Sequence, residues 1–155
     1  VIEIVKATPE LVKQFVQQGD IREKDAYEWL VLSNGRKLID ALQARDPEQS
    51  WAAIDEEGFV LALWGFAPQG RFHDGHFVGW LIGSNKGNLR ARELHRKRKA
   101  IMAEADSLVD ILALTIYRDD KWHAALGFSL LSIHPFPEGM GPSIYVYRRN
   151  AKWEH

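Results

Sequence analysis

Apolar and polar positions alternate over Val1-Ile2-Glu3-Ile4-Val5-Lys6, the period of a strand. Thr8-Pro9-Glu10 after it reads as an N-cap followed by proline at the first helical position. A helix is expected from there to about Gln18. Asp20 is placed to cap a second helical region through Tyr27, Trp29 and Leu30, resumed after Gly35 through Leu38, Ile39 and Leu42 and ended by Asp46-Pro47. The period then changes: Ser50 to Ile54 and Phe59 to Phe66 flank the acidic turn Glu56-Glu57-Gly58 and predict a β-hairpin. Pro68 to Gly75 reads as loop and His76 to Ile82 as a strand. Leu89 to about Leu108 reads as the longest helix, with Leu94, Ile101, Met102, Ala105 and Leu108 on one face. Asp110 to Tyr117 is a strongly apolar strand, and Asp119 to Leu126 a short helix closed by Gly127. Phe128 to Ile133 and Ser143 to Arg148 complete the strands, joined by the Pro- and Gly-rich link His134 to Pro142.

The resulting order, β-α-α-β-β-β-α-β-α-β-β, predicts an α/β chain with one domain over residues 1–149 and a tail over 150–155. Its sheet is expected to be mixed and mostly antiparallel, with helices on both faces. Length and composition agree: 155 residues, 46% of them hydrophobic, suffice for one core rich in aromatic side chains. Trp64 and Trp80 fall at strand positions and read as core, whereas Trp153 lies in the charged tail and reads as exposed. The absence of cysteine excludes disulfides, thiol catalysis and thiolate metal sites. With no apolar run of membrane-spanning length and no signal-peptide pattern, a soluble, cytoplasmic protein is expected.

Charge changes the picture only locally. The formal net charge of −1 gives no general attraction to polyanions. The stretch 86–99, however, carries Lys86, Arg90, Arg92, Arg96, Lys97, Arg98 and Lys99 against the acid Glu93. No aromatic residue interleaves this run to stack on bases, so nucleic-acid binding is the least favoured use of it. A solvated helix face is the bland alternative.

The most informative segment precedes that run. Gly79-Trp80-Leu81-Ile82-Gly83 is an apolar strand that breaks at Ser84-Asn85-Lys86-Gly87-Asn88 into Leu89-Arg90 and the basic helix. A strand feeding a helix leaves N–H groups unpaired at the helix start, and such a turn is able to hold an anion. His73 and His76, with Asp74 between them, are too few for a recognisable metal set, and no metal is expected.

This order of elements resembles the GCN5-related N-acetyltransferase (GNAT) fold over nearly the whole chain. Local support comes from Trp80 to Leu89, the apolar strand Ile111 to Ile116, and Trp122-His123-Ala124-Ala125-Leu126-Gly127-Phe128, which is similar to the family's aromatic-x-x-x-Leu-Gly-Phe ending. The Trp-Leu-Ile-Gly strand, basic helix, apolar strand and short helix also resemble small acetyltransferase-like proteins of T7-type podoviruses, some of them internal virion proteins. The resemblance implies acetyl-CoA between the fourth and fifth strands. Its pantetheine would lie along Gly79 to Gly83, and its pyrophosphate on Ser84 to Arg90. The implied cofactor residues are Trp80, Leu81, Ile82, Gly83, Ser84, Asn85, Lys86, Gly87, Asn88 and Arg90. The family loop reads Gln/Arg-x-x-Gly-x-Gly/Ala, whereas this chain offers Gly83 and Gly87. Lys86, Arg90 and Arg92 are the cations placed to make up for missing backbone contacts.

For proton transfer the resemblance places His123 where the family often has an acidic tyrosine, and Tyr117, just past the fifth strand, is the other candidate. The expected fourth strand, His76 to Ile82, carries no carboxylate to serve as base, and only His76 and Asp74 lie near its start. Packing is the ordinary fate of either side chain. The expectation is an acetyl-CoA-dependent N-acetyltransferase of phage origin acting on an unknown amine in the host cytoplasm. The alternative is a catalytically silent GNAT-fold virion or phage–host interaction protein.

Overall fold

The computed structural model describes residues 1–69, 72–103, 105, 110–135 and 141–149. Seven strands form one mixed sheet in the order β1-β2-β3-β4-β5-β7-β6, flanked by helices. The strands are β1 (Glu3–Lys6), β2 (Ser50–Ile54), β3 (Val60–Gln69), β4 (Phe72–Gly83), β5 (Asp110–Thr115), β6 (Ser129–His134) and β7 (Ile144–Arg149). The helices are α1 (Pro9–Gln17), α2 (Glu23–Leu32), α3 (Leu38–Gln43), α4 (Asn85–Leu89), α5 (Ala91–Arg96), α6 (Arg98–Ile101) and α7 (Asp120–Ala125). The succession of seven strands along the chain is the predicted one. The chain divides into two compact units, one formed by Val1–Gly65 and Leu81–Lys97, the other by Phe66–Trp80 with the described part of Arg98–His155.

In the first unit, β1, β2 and the start of β3 pair antiparallel. Ser50 through Ala53 are all buried, as expected of a strand covered on both faces. The hairpin turn is organised by Asp55, whose Oδ1 accepts from the N–H groups of Glu57 and Phe59, each at 2.9 Å. Thr8 caps α1 and Pro9 opens it, while Val12 and Phe15 are its buried residues. Gln18, the C-cap of α1, spans to β3 by a reciprocal amide pair, donating to Val60 O at 3.0 Å and accepting from Val60 N at 2.9 Å. The buried Trp29 of α2 directs its indole N–H to Leu81 O at 3.1 Å, so a large apolar body enters the core without stranding its donor.

In the second unit, β4 and β5 run parallel in register from His76↔Asp110 to Gly79↔Ala113. At Gly79 a Cβ would stand 3.3 Å from Ile111 Cγ2, tighter than an ordinary van der Waals contact. β5 and β6 each pair antiparallel with β7, with a register shift between Leu130 and Ser132. Asp119 caps α7 by accepting from Trp122 N at 3.0 Å, and Gly127 ends it at φ +90°, as the sequence predicts.

Three expectations are corrected. The long helix of residues 89–108 is instead α4, α5 and α6. It begins four residues earlier, at Asn85, because Ser84 caps it, and breaks at Arg90 (φ −105°, ψ 25°) and Lys97 (φ −87°, ψ 6°). Of its predicted face Ile101, Met102 and Ala105 are buried, whereas Leu108 lies outside the described residues. The expected loop Pro68 to Gly75 is strand on both sides, since β3 runs to Gln69 and β4 starts at Phe72. Asp20 does not cap α2, whose N-cap is Arg22 without a side-chain bond. Its carboxylate is used elsewhere.

Candidate functional site

Asp20 is used at the turn after β4, the segment predicted to receive pyrophosphate. Every backbone donor from Gly83 to Asn88 has a partner within the chain. Gly83 N donates to Asp25 Oδ2 at 2.6 Å, Ser84 N to Leu61 O at 3.0 Å and Asn85 N to Asp20 O at 2.9 Å. Lys86 N donates to Asp20 Oδ2 at 2.9 Å, Gly87 N to Ser84 Oγ at 2.8 Å and Asn88 N to Ser84 O at 3.0 Å. The link between α1 and α2 is thereby laced to the turn. Arg22 N donates to Gly83 O at 3.0 Å, Ile21 and Ser84 form an isolated bridge, and Asn85 Nδ2 reaches Asp20 Oδ1 at 3.2 Å.

Two of the predicted cations, Lys86 and Arg90, are engaged as well. Lys86 Nζ lies 2.8 Å from Asp55, whose side chain is 2% exposed, and 3.6 Å from Glu57, and sits over the Phe59 ring at 4.5 Å. Arg90 grips Glu56 with both terminal nitrogens, at 2.8 and 2.9 Å, and Glu93 through Nε and Nη2. Glu56 also accepts the N-terminal ammonium at 2.6 Å. Hydrogen bonds from Arg90 and the N-terminus hold the Glu56 carboxyl far below the usual range, and Arg90 does the same, less strongly, for Glu93. Burial alone would raise Asp55, but Lys86 and the N–H groups of Phe59 and Glu57 hold it below its ordinary value. Burial raises Asp25, only partly opposed by the Gly83 N–H and Arg22. Around the turn the carboxylates of Asp20, Asp25, Asp55, Glu56, Glu57 and Glu93 outnumber the cations of Arg22, Lys86, Arg90 and the N-terminal ammonium.

Gly87 serves packing rather than ligand approach. It is buried, and a Cβ there would stand 2.5 Å from Leu61 O and 3.0 Å from Ser84 Oγ. Ser84, 1% exposed, donates its hydroxyl to the same Leu61 O at 2.8 Å. The residues present therefore do not fit a diphosphate at this turn, because each backbone donor is already spent and the surrounding carboxylates outnumber the cations. Among the other predicted cofactor residues, Ile82 is fully buried, Trp80 is half-buried, and Leu81, Asn85 and Asn88 are exposed. Arg92 is exposed too.

In the second unit the structure joins His123 to a residue the sequence reading missed. The His123 ring stacks on Tyr147 of β7, centroids 3.8 Å apart and planes within 5°, and meets Phe128 edge-on at 6.1 Å. His123 Nδ1 lies 2.7 Å from Asp119 O. A carbonyl only accepts, so Nδ1 carries the proton in that contact and Nε2 keeps its lone pair. Burial lowers the imidazole pKa, and the ring is neutral at pH 7. Tyr147 is fixed by its own bonds, with its hydroxyl donating to Asp120 Oδ1 at 2.5 Å and accepting from Asp119 N at 3.2 Å. Burial, reinforced by the Asp120 carboxylate, pushes its pKa up to about 12. The sequence signal for Tyr147 was weak, since an alternating Tyr145-Val146-Tyr147 reads simply as strand. Tyr117 is half-buried, with its backbone N–H and carbonyl both bonded to Thr115 Oγ1.

Trp64 is buried, as expected of a core position. The side chains of His73, Asp74 and His76, and Trp153, lie outside the described residues. Among the described residues there is no cluster of metal-ligating side chains and no helix long and apolar enough to cross a membrane.

No family model matches the sequence, and neither does any curated protein. Solved structures do match. A GNAT-superfamily phosphinothricin acetyltransferase of Sinorhizobium meliloti, in complex with acetyl-CoA, aligns at TM-score 0.66 and 15% identity over 96% of this chain and 88% of that one. An N-acetyltransferase of Staphylococcus aureus Mu50 aligns at TM-score 0.64 and 11% identity, covering 97% and 99%. A GCN5-related N-acetyltransferase of Kribbella flavida aligns at TM-score 0.56 and 14% identity, covering 96% and 97%. At these identities the likeness is one of fold, and the chain has the GNAT fold.

Proposed function

We propose that this chain is a GNAT-type N-acyltransferase that moves an acyl group from a thioester donor to an amine. The observation that carries the reading is the parallel β4–β5 pair, ending at Gly79↔Ala113 in a sheet whose other recorded pairings are antiparallel, within a fold shared along the whole chain with acetyltransferases. His123 is proposed as the proton-handling residue. Its Nδ1–H is committed to Asp119 O, which leaves the Nε2 lone pair to take a proton from the amine, and the Asp119 carbonyl with the Asp119 and Asp120 carboxylates favours the imidazolium that forms, against the opposing effect of burial. This makes it a base rather than the acid the resemblance implied. Tyr117 is proposed as the acid from its place just past β5. Tyr147 and Asp119 position the imidazole.

A panel of amines incubated with acyl thioesters and read by mass spectrometry tests this. Acylated product that falls about 100-fold or more with His123→Ala supports it. Product formation indifferent to His123 refutes the assignment. The closed turn after β4 favours a second reading, a GNAT-fold protein that is catalytically silent and acts by binding a partner. For that reading no thioester should shift the melting temperature at millimolar concentration.

A further inference from the structure

We propose that Asp20 and Asp25 decide which acyl donor this chain accepts: they occupy the backbone donors a nucleotide diphosphate would need, so the donor is recognised as a pantetheine-type thioester without help from its diphosphate. The inference rests on the acyltransferase reading and deepens it. Asp25 Oδ2 holds Gly83 N at 2.6 Å, and Asp20 holds Asn85 N through its carbonyl and Lys86 N through its carboxylate, both at 2.9 Å. Ser84 accounts for Gly87 N and Asn88 N.

Two donors of the turn, Gly83 N and Lys86 N, depend on the two carboxylates alone. Asn85 N is held by the backbone of Asp20, which is fastened by the Ile21–Ser84 bridge and by Arg22 N to Gly83 O, so that donor stays engaged unless the link between α1 and α2 lifts away. Lys86 and Arg90, the cations of the turn itself, are spent on Asp55, Glu57, Glu56 and Glu93. A diphosphate brought to this turn would meet two carboxylates in place of free N–H groups. A thioester whose recognised part ends before the diphosphate meets neither obstacle.

Isothermal titration of the whole chain with acetyl-CoA and with acetyl-pantetheine separates the cases. The expected result is affinities within about threefold of one another for the native sequence. The double variant Asp20→Ala/Asp25→Ala should bind acetyl-CoA at least tenfold more tightly than the native chain, with acetyl-pantetheine unchanged. Should that variant fail to fold, the single variants Asp20→Ala and Asp25→Ala each free one N–H group, and a smaller gain for acetyl-CoA alone is expected from each. A native preference for acetyl-CoA of tenfold or more leaves the acyltransferase reading standing and overturns the donor assignment. If neither thioester binds the native chain, the acyltransferase reading falls and the assignment falls with it.

Discussion

Gly87→Ala distinguishes a glycine needed for packing from one that lets a ligand approach. The added Cβ would stand 2.5 Å from Leu61 O, 3.0 Å from Ser84 Oγ and 3.2 Å from Leu61 C, and two of these atoms belong to the backbone of a buried strand. The strand has nowhere to go, so α4 must move outward. Moving it stretches the bonds from Ser84 N (3.0 Å) and Ser84 Oγ (2.8 Å) to the same carbonyl. Overpacking costs roughly 1–3 kcal/mol and weakening a buried hydrogen bond about 1 kcal/mol, while alanine returns up to about 1 kcal/mol of helix propensity. The net expectation is a loss of about 1–3 kcal/mol, or roughly 2–12 °C in melting temperature for a chain of this size. Gly83→Ala is the control. Its Cβ would meet only Asp25 Oδ2 at 3.3 Å and Arg22 Cδ at 3.6 Å, both on side chains able to yield, and a loss under about 1 kcal/mol is expected. Urea and thermal unfolding of both variants read the difference. A Gly87→Ala variant as stable as the parent, or more stable, would refute the packing argument.

Three further outcomes follow from the same geometry. Ser84→Ala removes both the N-cap acceptor for Gly87 N and the hydroxyl bond to Leu61 O, and should cost about 1–3 kcal/mol in urea unfolding. Asp25 has its carboxyl raised by burial, so its folded form binds a proton more tightly than its unfolded form. Its contribution is most favourable in acid and declines as pH rises from 3.8 through the folded value, and Asp25→Asn should leave stability at pH 7 unchanged or increased. A clear loss at pH 7 would contradict this. His123 has the opposite sign. Its folded pKa lies below 6.5, so its contribution is complete above pH 6.5 and is lost as pH falls from there through the folded value. Its ring protons followed by NMR should titrate below pH 6.5, and a midpoint above that value would contradict the burial argument.

Much of the fold was legible because period and punctuation agreed. Thr8-Pro9, Asp119 and Gly127 each carry their signal within a few residues, and each acts as the sequence implied. The long basic helix misled because its composition is helical throughout. What divides it are non-helical backbone angles at Arg90 and Lys97, and Arg90 is also tied to the distant Glu56. The state of the turn was illegible for a related reason. Ser84-Asn85-Lys86-Gly87 looks like an open anion cradle in one dimension, but Asp20 and Asp25, some sixty residues earlier, fill it. Nothing local in Asp20 tells a cap on α2 from a cap on α4. The same applies to Tyr147, which becomes a partner of His123 only through the position of β7.

Amide hydrogen exchange at Gly83, Lys86 and Gly87, measured by NMR on the chain without any thioester, tests the closed turn most directly. With those protons held by Asp25, Asp20 and Ser84, they should exchange far more slowly than in an unstructured peptide. In Asp20→Ala/Asp25→Ala the protection should be lost at Gly83 and Lys86 while the core of β3 stays protected. Unprotected exchange at Gly83 and Lys86 in the native chain would mean that the turn is open and able to take an anion, and the account of this site would be wrong.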